Sequence, residues 1–275
     1  MKKIDFTKMV ASGNDFVVID NSNKAIKSEG YKVLAKKICN RKFGIGADGL
    51  LVLENSKIAD IRMRIFNADG SEASMCGNGS RCIALYISSK HRLDEKRLKI
   101  ETKAGIIKAG VNLDNVKINL TDPTDIQLNI PVRVNGRLLR TDFINTGVPH
   151  AVIFVEGLDK IDVFNLGRSL RYHKRFKPEG TNVNFVEVQS SNLIKVRTYE
   201  RGVEDETLAC GTGATASAII LVYKFFGYPE SSHVIKVKTK GAETLKVFFK
   251  NFNNSITDVW LEGKARFVCE GVYYV

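Results

Sequence analysis

Cys76-Gly77-Asn78-Gly79 and Cys210-Gly211-Thr212-Gly213 are two versions of one phrase, Cys-Gly-x-Gly, set about half a chain apart. Their surroundings repeat with them. Upstream, Arg64-Ile65-Phe66-Asn67 parallels Arg197-Thr198-Tyr199-Glu200. Gly70 and Gly202 follow, then acids: Glu72 in one copy, Glu204, Asp205 and Glu206 in the other. Downstream, Ile83-Ala84-Leu85-Tyr86-Ile87 parallels Ser217-Ala218-Ile219-Ile220-Leu221, both small, apolar runs of helical character. The Arg-to-Cys spacing differs by one residue between the copies. The chain therefore reads as two related units, each offering one thiol at one glycine-rich turn ahead of a helix.

Outward from the turns, the first unit reads as strand Ile4 to Met9, turn Ser12-Gly13-Asn14-Asp15, and strand Phe16 to Asp20. A helix over Glu29 to Cys39 follows from the spacing of Tyr31, Leu34, Ala35 and Ile38. The glycine-punctuated turn Gly44 to Gly49 leads to the apolar strand Leu50 to Leu53. Arg62 to Phe66 alternates as a strand, and the helix after Cys76 runs to about Ser89. Pro123 and its polar neighbours suggest a boundary. The second unit reads as strand Ala151 to Val155, a helix near Leu166 to Arg175, strands Val183 to Val188 and Leu193 to Tyr199, and a helix from the second turn to Phe226. A closing hairpin spans Val234 to Phe249 around Lys240-Gly241. The expected class is α+β, with domains at 1–120 (joined by the tail 264–275) and 121–263.

Composition narrows the function. A chain of 275 residues with 44% hydrophobic and 26% charged residues is an ordinary globular one. No apolar run approaches the ~20 residues of a membrane span, and the start, Met1-Lys2-Lys3-Ile4-Asp5-Phe6, turns acidic and polar at once and so reads as no signal peptide. Five cysteines make an odd count without a disulfide framework, which points to a reduced, cytoplasmic protein. The net charge of +12 is scattered, with acids interleaved. Its densest stretch, Arg168 to Lys177, falls on an expected helix. A solvated lysine-rich surface explains it better than a nucleic-acid footprint, and no nucleic-acid-binding motif accompanies it.

A Gly-x-Gly turn feeding a helix turns backbone N–H groups outward where the helix dipole favours an anion. A carboxylate fits such a cradle, and a cysteine at its lip sits in a positive field that favours the thiolate. Two such turns facing each other could hold one carboxylate and place a sulfur on each side of its α-carbon. One thiolate would remove the α-proton while the other thiol delivers a proton to the opposite face. A single Cys-Gly-x-Gly would be read as packing, since a lone cysteine is usually a small buried hydrophobe; two copies in matched contexts favour chemistry. Cys39, Cys82 and Cys269 lack the turn and default to packing. Zinc is disfavoured, because there is no Cys-x-x-Cys and the four histidines are scattered. The Gly44 to Gly49 run lacks the strand-turn-helix unit and later acid of a dinucleotide site.

These residues match a family. Asn67-Ala68-Asp69-Gly70-Ser71-Glu72, Met75-Cys76-Gly77-Asn78-Gly79-Ser80-Arg81-Cys82, Gly13-Asn14-Asp15-Phe16, Gly44-Ile45-Gly46-Ala47-Asp48, Tyr199-Glu200-Arg201-Gly202 and Ala209-Cys210-Gly211-Thr212-Gly213 resemble diaminopimelate epimerase, in order and over essentially the whole chain. The resemblance implies two pseudo-symmetric domains, each a strand barrel around a central helix, with the site in the cleft between them. It implies epimerisation of L,L-2,6-diaminopimelate to the meso form, for lysine and peptidoglycan precursors, without pyridoxal phosphate or metal. Cys76 and Cys210 would be the acid/base thiols. Gly77, Asn78, Gly211 and Thr212 would hold the reacting carboxylate through backbone N–H groups. Asn67, Asn182 and Arg201 would read the distal amino-acid end, Asn14 would line the pocket, and His150 and Glu200 would tune the thiols, Glu200 also touching substrate. From spacing alone, His150 is an ordinary loop histidine after Pro149. The partner is the small-molecule substrate, with no nucleic acid or membrane, and a homodimer is admitted.

Three positions depart from the family pattern. Val148 replaces an asparagine in Gly-Asn-Pro-His, Gly49 stands where many members have glutamine, and Cys269 takes the place of a tyrosine linked to dimerisation. The first two leave room for a related cofactor-independent racemase with another side-chain specificity. A basic binding protein with redox-sensitive cysteines is the non-enzymatic alternative.

Overall fold

The computed structural model describes residues 3–90, 97–227, 229–253 and 255–275. The chain divides into two compact units, residues 1–118 with 263–275, and residues 119–262. The fold is α+β and mostly sheet.

In the first unit β1 (Lys3–Ala11) runs antiparallel to β2 (Asn14–Asp20). Helix α1 (Tyr31–Ile38) carries the chain to β3 (Gly49–Glu54), parallel to β2. Next come β4 (Ile61–Asn67), antiparallel to β3, and the short β5 (Glu72–Ala73) folded back on β4. Helix α2 (Gly77–Lys90) leads over to β6 (Leu98–Thr102), parallel to β4. Strands β7 (Gly105–Asn112) and β8 (Asn115–Asn119) complete a meander. Leu50 to Leu53 are all buried because β3 is covered on both faces, which is why it reads as a continuous apolar run. Leu50 and Val52 meet Tyr31, Leu34 and Ile38 of α1, while Leu51 lies against Gly79 of α2.

The second unit opens with a hairpin, β9 (Thr124–Val134) and β10 (Arg137–Asn145), turning on Asn135 and Gly136, both with positive φ (50° and 76°). From there it retraces the first unit. β11 (Pro149–Phe154) is antiparallel to β10, and α3 (Val163–Arg171) crosses to β12 (Asn182–Ser190), parallel to β11. β13 (Leu193–Glu200) is antiparallel to β12 and carries the short β14 (Asp205–Thr207). α4 (Gly211–Phe225) leads to β15 (Ser231–Thr239), parallel to β13, and β16 (Thr244–Phe252) and β17 (Ser255–Lys264) close the meander. The last strand, β18 (Arg266–Tyr274), pairs with β1 as β9 pairs with β10.

The helices divide by pattern. α1 and α3 are amphipathic and bury one stripe, Tyr31, Leu34, Ala35 and Ile38 in α1 and Val163, Gly167 and Leu170 in α3. α2 and α4 have no polar stripe: residues 213 to 222 of α4 are buried without a break, and those of α2 from Asn78 to Ala84. A helix buried all round needs partners all round. Strands β10, β11, β12, β13, β15 and β16 provide them for α4, and β1, β2, β4, β6 and β7 for α2. Among the described residues no helix is long and apolar enough to cross a membrane.

Two local expectations need correction. The helix expected near Leu166 to Arg175 starts at Val163, where Asp162 caps it by accepting from Asn165 N (3.1 Å), and ends at Arg171. Lys174–Phe176 is a separate single 3-10 turn ahead of Pro178. Pro123 is followed directly by the eleven-residue β9, whose inward residues Ile130, Val132 and Val134 alternate with exposed ones. His150 lies not in a loop but in β11, fully buried.

Candidate active site

In the first unit Cys76 stands half-buried immediately before α2. Its carbonyl accepts from Ser80 N (2.8 Å) and Ser80 Oγ (2.9 Å), which sets the first helical turn, and Gly79 N–H is directed at its sulfur (3.5 Å). The N–H groups of Gly77 and Asn78 open the helix, where no preceding turn supplies an acceptor. Asn78 is held by a relay of side chains. Its Nδ2 donates to Asn14 Oδ1 (2.5 Å), its Oδ1 accepts from Arg81 Nη2 (2.8 Å), and Asn14 Nδ2 donates to Asp48 Oδ2 (3.0 Å). Arg41 bridges Asp48 and Asp15 at 2.7 and 2.8 Å, and Lys8 reaches Asp15 at 2.7 Å. Burial would raise the Asp15 pKa, but the hydrogen bonds and charges of Arg41 and Lys8 bring it down to about 2. The Gly13-Asn14-Asp15 and Ala47-Asp48 motifs are thus tied together.

Asn67 ends β4 opposite Gly49, and its Nδ2 donates to Ser71 Oγ (2.9 Å). A Cβ at Gly49 would lie 2.9 Å from Phe66 O, so the backbone leaves no room for a side chain there without a shift. Arg64 Nε grips Glu72 Oε1 at 2.8 Å and pins β5 ahead of the cysteine turn.

In the second unit Cys210 occupies the N-cap of α4 in an extended conformation (φ −119°, ψ 114°), with its carbonyl accepting from Ala214 N (2.9 Å). Cys210 Sγ lies 3.5 Å from Thr212 Oγ1, and Thr146 Oγ1 donates to Thr212 O (3.2 Å), fastening the 146–148 loop to the turn. Arg197 clasps Glu206 through Nε–Oε1 (2.7 Å) and Nη2–Oε2 (2.9 Å), the counterpart of Arg64–Glu72. Of the three acids beside Arg197 in the sequence, Glu206 is the partner.

The remaining candidates of this unit gather at the starts of β11 and β12 and the end of β13. Asn182 Nδ2 donates to Pro149 O (2.9 Å), and its Oδ1 accepts from Arg201 N (2.8 Å). The half-buried Arg201 guanidinium donates to Glu179 O (3.3 Å). Burial raises the Glu200 carboxyl above the usual carboxylate range, partly offset by Thr207 Oγ1, which donates to it (2.9 Å). Burial, with a smaller contribution from the Arg201 charge, lowers His150 to about 3, so its ring is neutral near pH 7. Two residues beside it were not legible as site residues in the sequence. Asn184 contacts His150 Nδ1 (3.1 Å), and Thr198 Oγ1 donates to Asn184 Oδ1 (2.9 Å). Only the interruption of an apolar strand by Asn184 marked the place.

Cys39 and Cys82 are buried, which pushes the Cys39 thiol up to about 12 and Cys82 upward too. Cys269 is exposed on β18. Among the described residues no group of three or more His, Cys, Asp or Glu side chains is placed to hold a metal. What each unit provides is a cysteine at the N-terminus of an enclosed helix, with polar side chains fixed around it.

The family model for diaminopimelate epimerase matches residues 6–126 and 143–268. The chain is 43% identical to the diaminopimelate epimerase of Aquifex aeolicus, over 98% of this chain and 97% of that protein. It is 41% identical to the diaminopimelate epimerase of Methanocella arvoryzae, over 98% and 97%. Among solved structures it resembles a Bacillus anthracis phenazine biosynthesis protein of the PhzF family, with a TM-score of 0.79 over 100% of both chains at 19% identity, a likeness of fold.

Proposed function

The chain belongs to the diaminopimelate epimerase family, and on that premise we propose that it interconverts L,L-2,6-diaminopimelate and its meso isomer by two-base proton transfer between Cys76 and Cys210. The observation that carries the reading is the duplicated thiol, each at the opening of an enclosed helix. The thiolate of one cysteine takes the α-proton, and the electron pair of the C–H bond passes into the substrate carboxylate. The thiol of the other cysteine then delivers its proton to the opposite face. The thiols end with exchanged protonation states, so each serves as base in one direction and acid in the other.

The N–H groups of Gly77, Asn78, Gly211 and Thr212 are assigned to the carboxylate, where helix N-termini stabilise the charge that builds in the transition state. Arg201, whose guanidinium can hold a carboxylate bidentately, is assigned with Asn67 and Asn182 to the distal amino-acid end. Asn14 is assigned to the pocket wall, and Glu200 and His150 to the surroundings of the thiols. The reaction so written calls on neither pyridoxal phosphate nor metal. A cytoplasmic location and a homodimer belong to the same reading; light scattering decides the second.

Proton NMR of L,L-diaminopimelate with the reduced protein in heavy water tests the proposal. Loss of the α-proton signal together with appearance of the meso isomer is expected. A folded protein with both thiols titratable that exchanges no α-proton would overturn it. A second reading, a related racemase with another distal specificity, is motivated by Gly49, where a side chain would require the Phe66 backbone to shift, and by Val148. Faster exchange with lysine, histidine or proline than with diaminopimelate would favour it.

A further inference from the structure

The two units depart from one another at one buried place where the rest of the repeat holds. Superposing Arg64–Glu72 on Arg197–Glu206 sets Phe66 on Tyr199. The strand registers then carry Phe16, Leu51 and Ile65 onto His150, Asn184 and Thr198. The helix glycines agree: a Cβ at Gly79 would meet Leu51 and Ile65, and one at Gly213 would meet Asn184. All six residues are buried, at 3% exposure or less. One unit fills these positions with three hydrophobic side chains. The other fills them with an imidazole, a carboxamide and a hydroxyl. Burying polar groups where apolar ones fit the same fold costs stability unless their hydrogen bonds are made.

The bonds made fix the protons. Asn184 donates to Ala151 O (3.1 Å), a carbonyl that can only accept, so the group on that side of the carboxamide is the amide nitrogen. Its Oδ1 accepts from Thr198 Oγ1 on the other side. The second hydrogen of Nδ2 points to His150 Nδ1 at 3.1 Å, which must therefore accept and carry no proton. The ring of neutral His150 then bears its proton on Nε2. That atom is fully buried with no hydrogen-bond partner among the described residues.

We infer that Asn184 is a positioning residue that locks His150 in the Nε2–H tautomer, making it a fixed donor toward an anion in the site. The inference rests on the epimerase reading for what that anion is, a thiolate or the substrate carboxylate. A neutral imidazole held this way stabilises negative charge without taking the proton that the thiols must exchange. The apolar triad of the first unit, Phe16, Leu51 and Ile65, can do nothing of the kind, so the two thiols work in unequal surroundings.

Nitrogen-15 NMR of the full-length protein labelled in histidine tests this, with the His150 signals identified by their loss in His150→Gln. Wild type is expected to show a protonated Nε2 and an unprotonated Nδ1 from pH 8 down to pH 5 (about 2 units above the folded value). Asn184→Asp puts an acceptor against Nδ1, so a proton is expected there, with kcat for diaminopimelate reduced about a hundredfold and KM changed much less. Should that variant not fold, Asn184→Leu takes its place, since the first unit folds with Leu51 in the equivalent position. There the Nδ1–H form becomes detectable and kcat falls about tenfold. An Nδ1–H tautomer in wild type, an unmoved tautomer in the variants, or a moved tautomer with unchanged kcat would each overturn the inference. A wild-type protein that shows the Nε2–H form but exchanges no diaminopimelate α-proton would instead defeat the functional reading and leave the tautomer lock standing.

Discussion

Gly79 and Gly213 occupy the same place in the two Cys-Gly-x-Gly turns, yet alanine should be tolerated at one and not at the other. At Gly213 the added Cβ would fall 2.3 Å from Asn184 Oδ1 and 3.3 Å from both Asn184 Cγ and Cys210 Cβ. A carbon-to-oxygen contact needs about 3.2 Å, so the carboxamide must move by roughly 0.9 Å. Asn184 cannot give way freely, because it makes three buried hydrogen bonds, to Ala151, His150 and Thr198. Losing them costs about 1 kcal/mol each, and about 1 kcal/mol returns from the better helix propensity of alanine. The net loss expected for Gly213→Ala is about 2–3 kcal/mol. At Gly79 the nearest atom is Leu51 Cδ2 at 3.1 Å, the end of a flexible side chain, followed by Cys76 Cβ and Ile65 Cδ1 at 3.6 Å. A small rotation of Leu51 suffices, and helix propensity offsets it, so Gly79→Ala should stay within about 1 kcal/mol of wild type. Urea unfolding at constant m-value gives both numbers, and calorimetry should place the Gly213→Ala midpoint about 5–10 °C below wild type. Gly213→Ala should also lose epimerase activity through the displaced Asn184. Equal stability and activity in the two variants would refute the reasoning.

Other expectations follow from single groups. Asp142 is fully buried, with its carboxylate 2.7 Å from Lys224 Nζ and accepting from Asn129 N (2.8 Å). Lys224→Met strands that charge and should cost about 3–5 kcal/mol in urea melts, whereas replacing both partners by apolar residues should cost far less. His150 titrates at about 3 when folded against an ordinary 6.5, so the unfolded chain binds more protons in between. Its contribution is therefore fully present above about pH 6.5, and stability falls by roughly 1.4 kcal/mol per pH unit as the pH drops toward 3. His150→Gln should flatten that part of the wild-type profile, and an unchanged slope would contradict the assignment. Cys76→Ala and Cys210→Ala should each abolish net epimerisation while leaving the fold intact by circular dichroism; activity surviving either change would exclude the two-thiol reaction.

Much of this protein is written in neighbouring residues. The helices α2 and α4 are legible as small, apolar runs after each turn, their enclosure by strands only through the family resemblance, and the paired turns because small residues and a thiol recur at matched distances from Arg64 and Arg197. The core strands are legible from β-branched and apolar runs such as Phe16 to Asp20 and Leu50 to Leu53. The β9–β10 hairpin is not legible, because the exposed polar residues of β9 mask the alternation of Ile130, Val132 and Val134. The start of α3 is not legible either, because the Asp162 cap acts one turn before the spacing is recognisable.

The sequence alone determined the repeat, the α+β class and the two thiols, since each rests on periodicity or spacing within a few residues. Tertiary structure decided which side chains meet. It chose Glu206 over its two acidic neighbours as the partner of Arg197. It moved His150 from a supposed loop into a buried strand and set Asn184 and Thr198 around it, from β12 and β13. Those three residues lie 34 and 14 positions apart along the chain, and only strand register brings them into hydrogen-bonding distance. Register is a property of how whole strands pair, so no local pattern in any one of them could announce it.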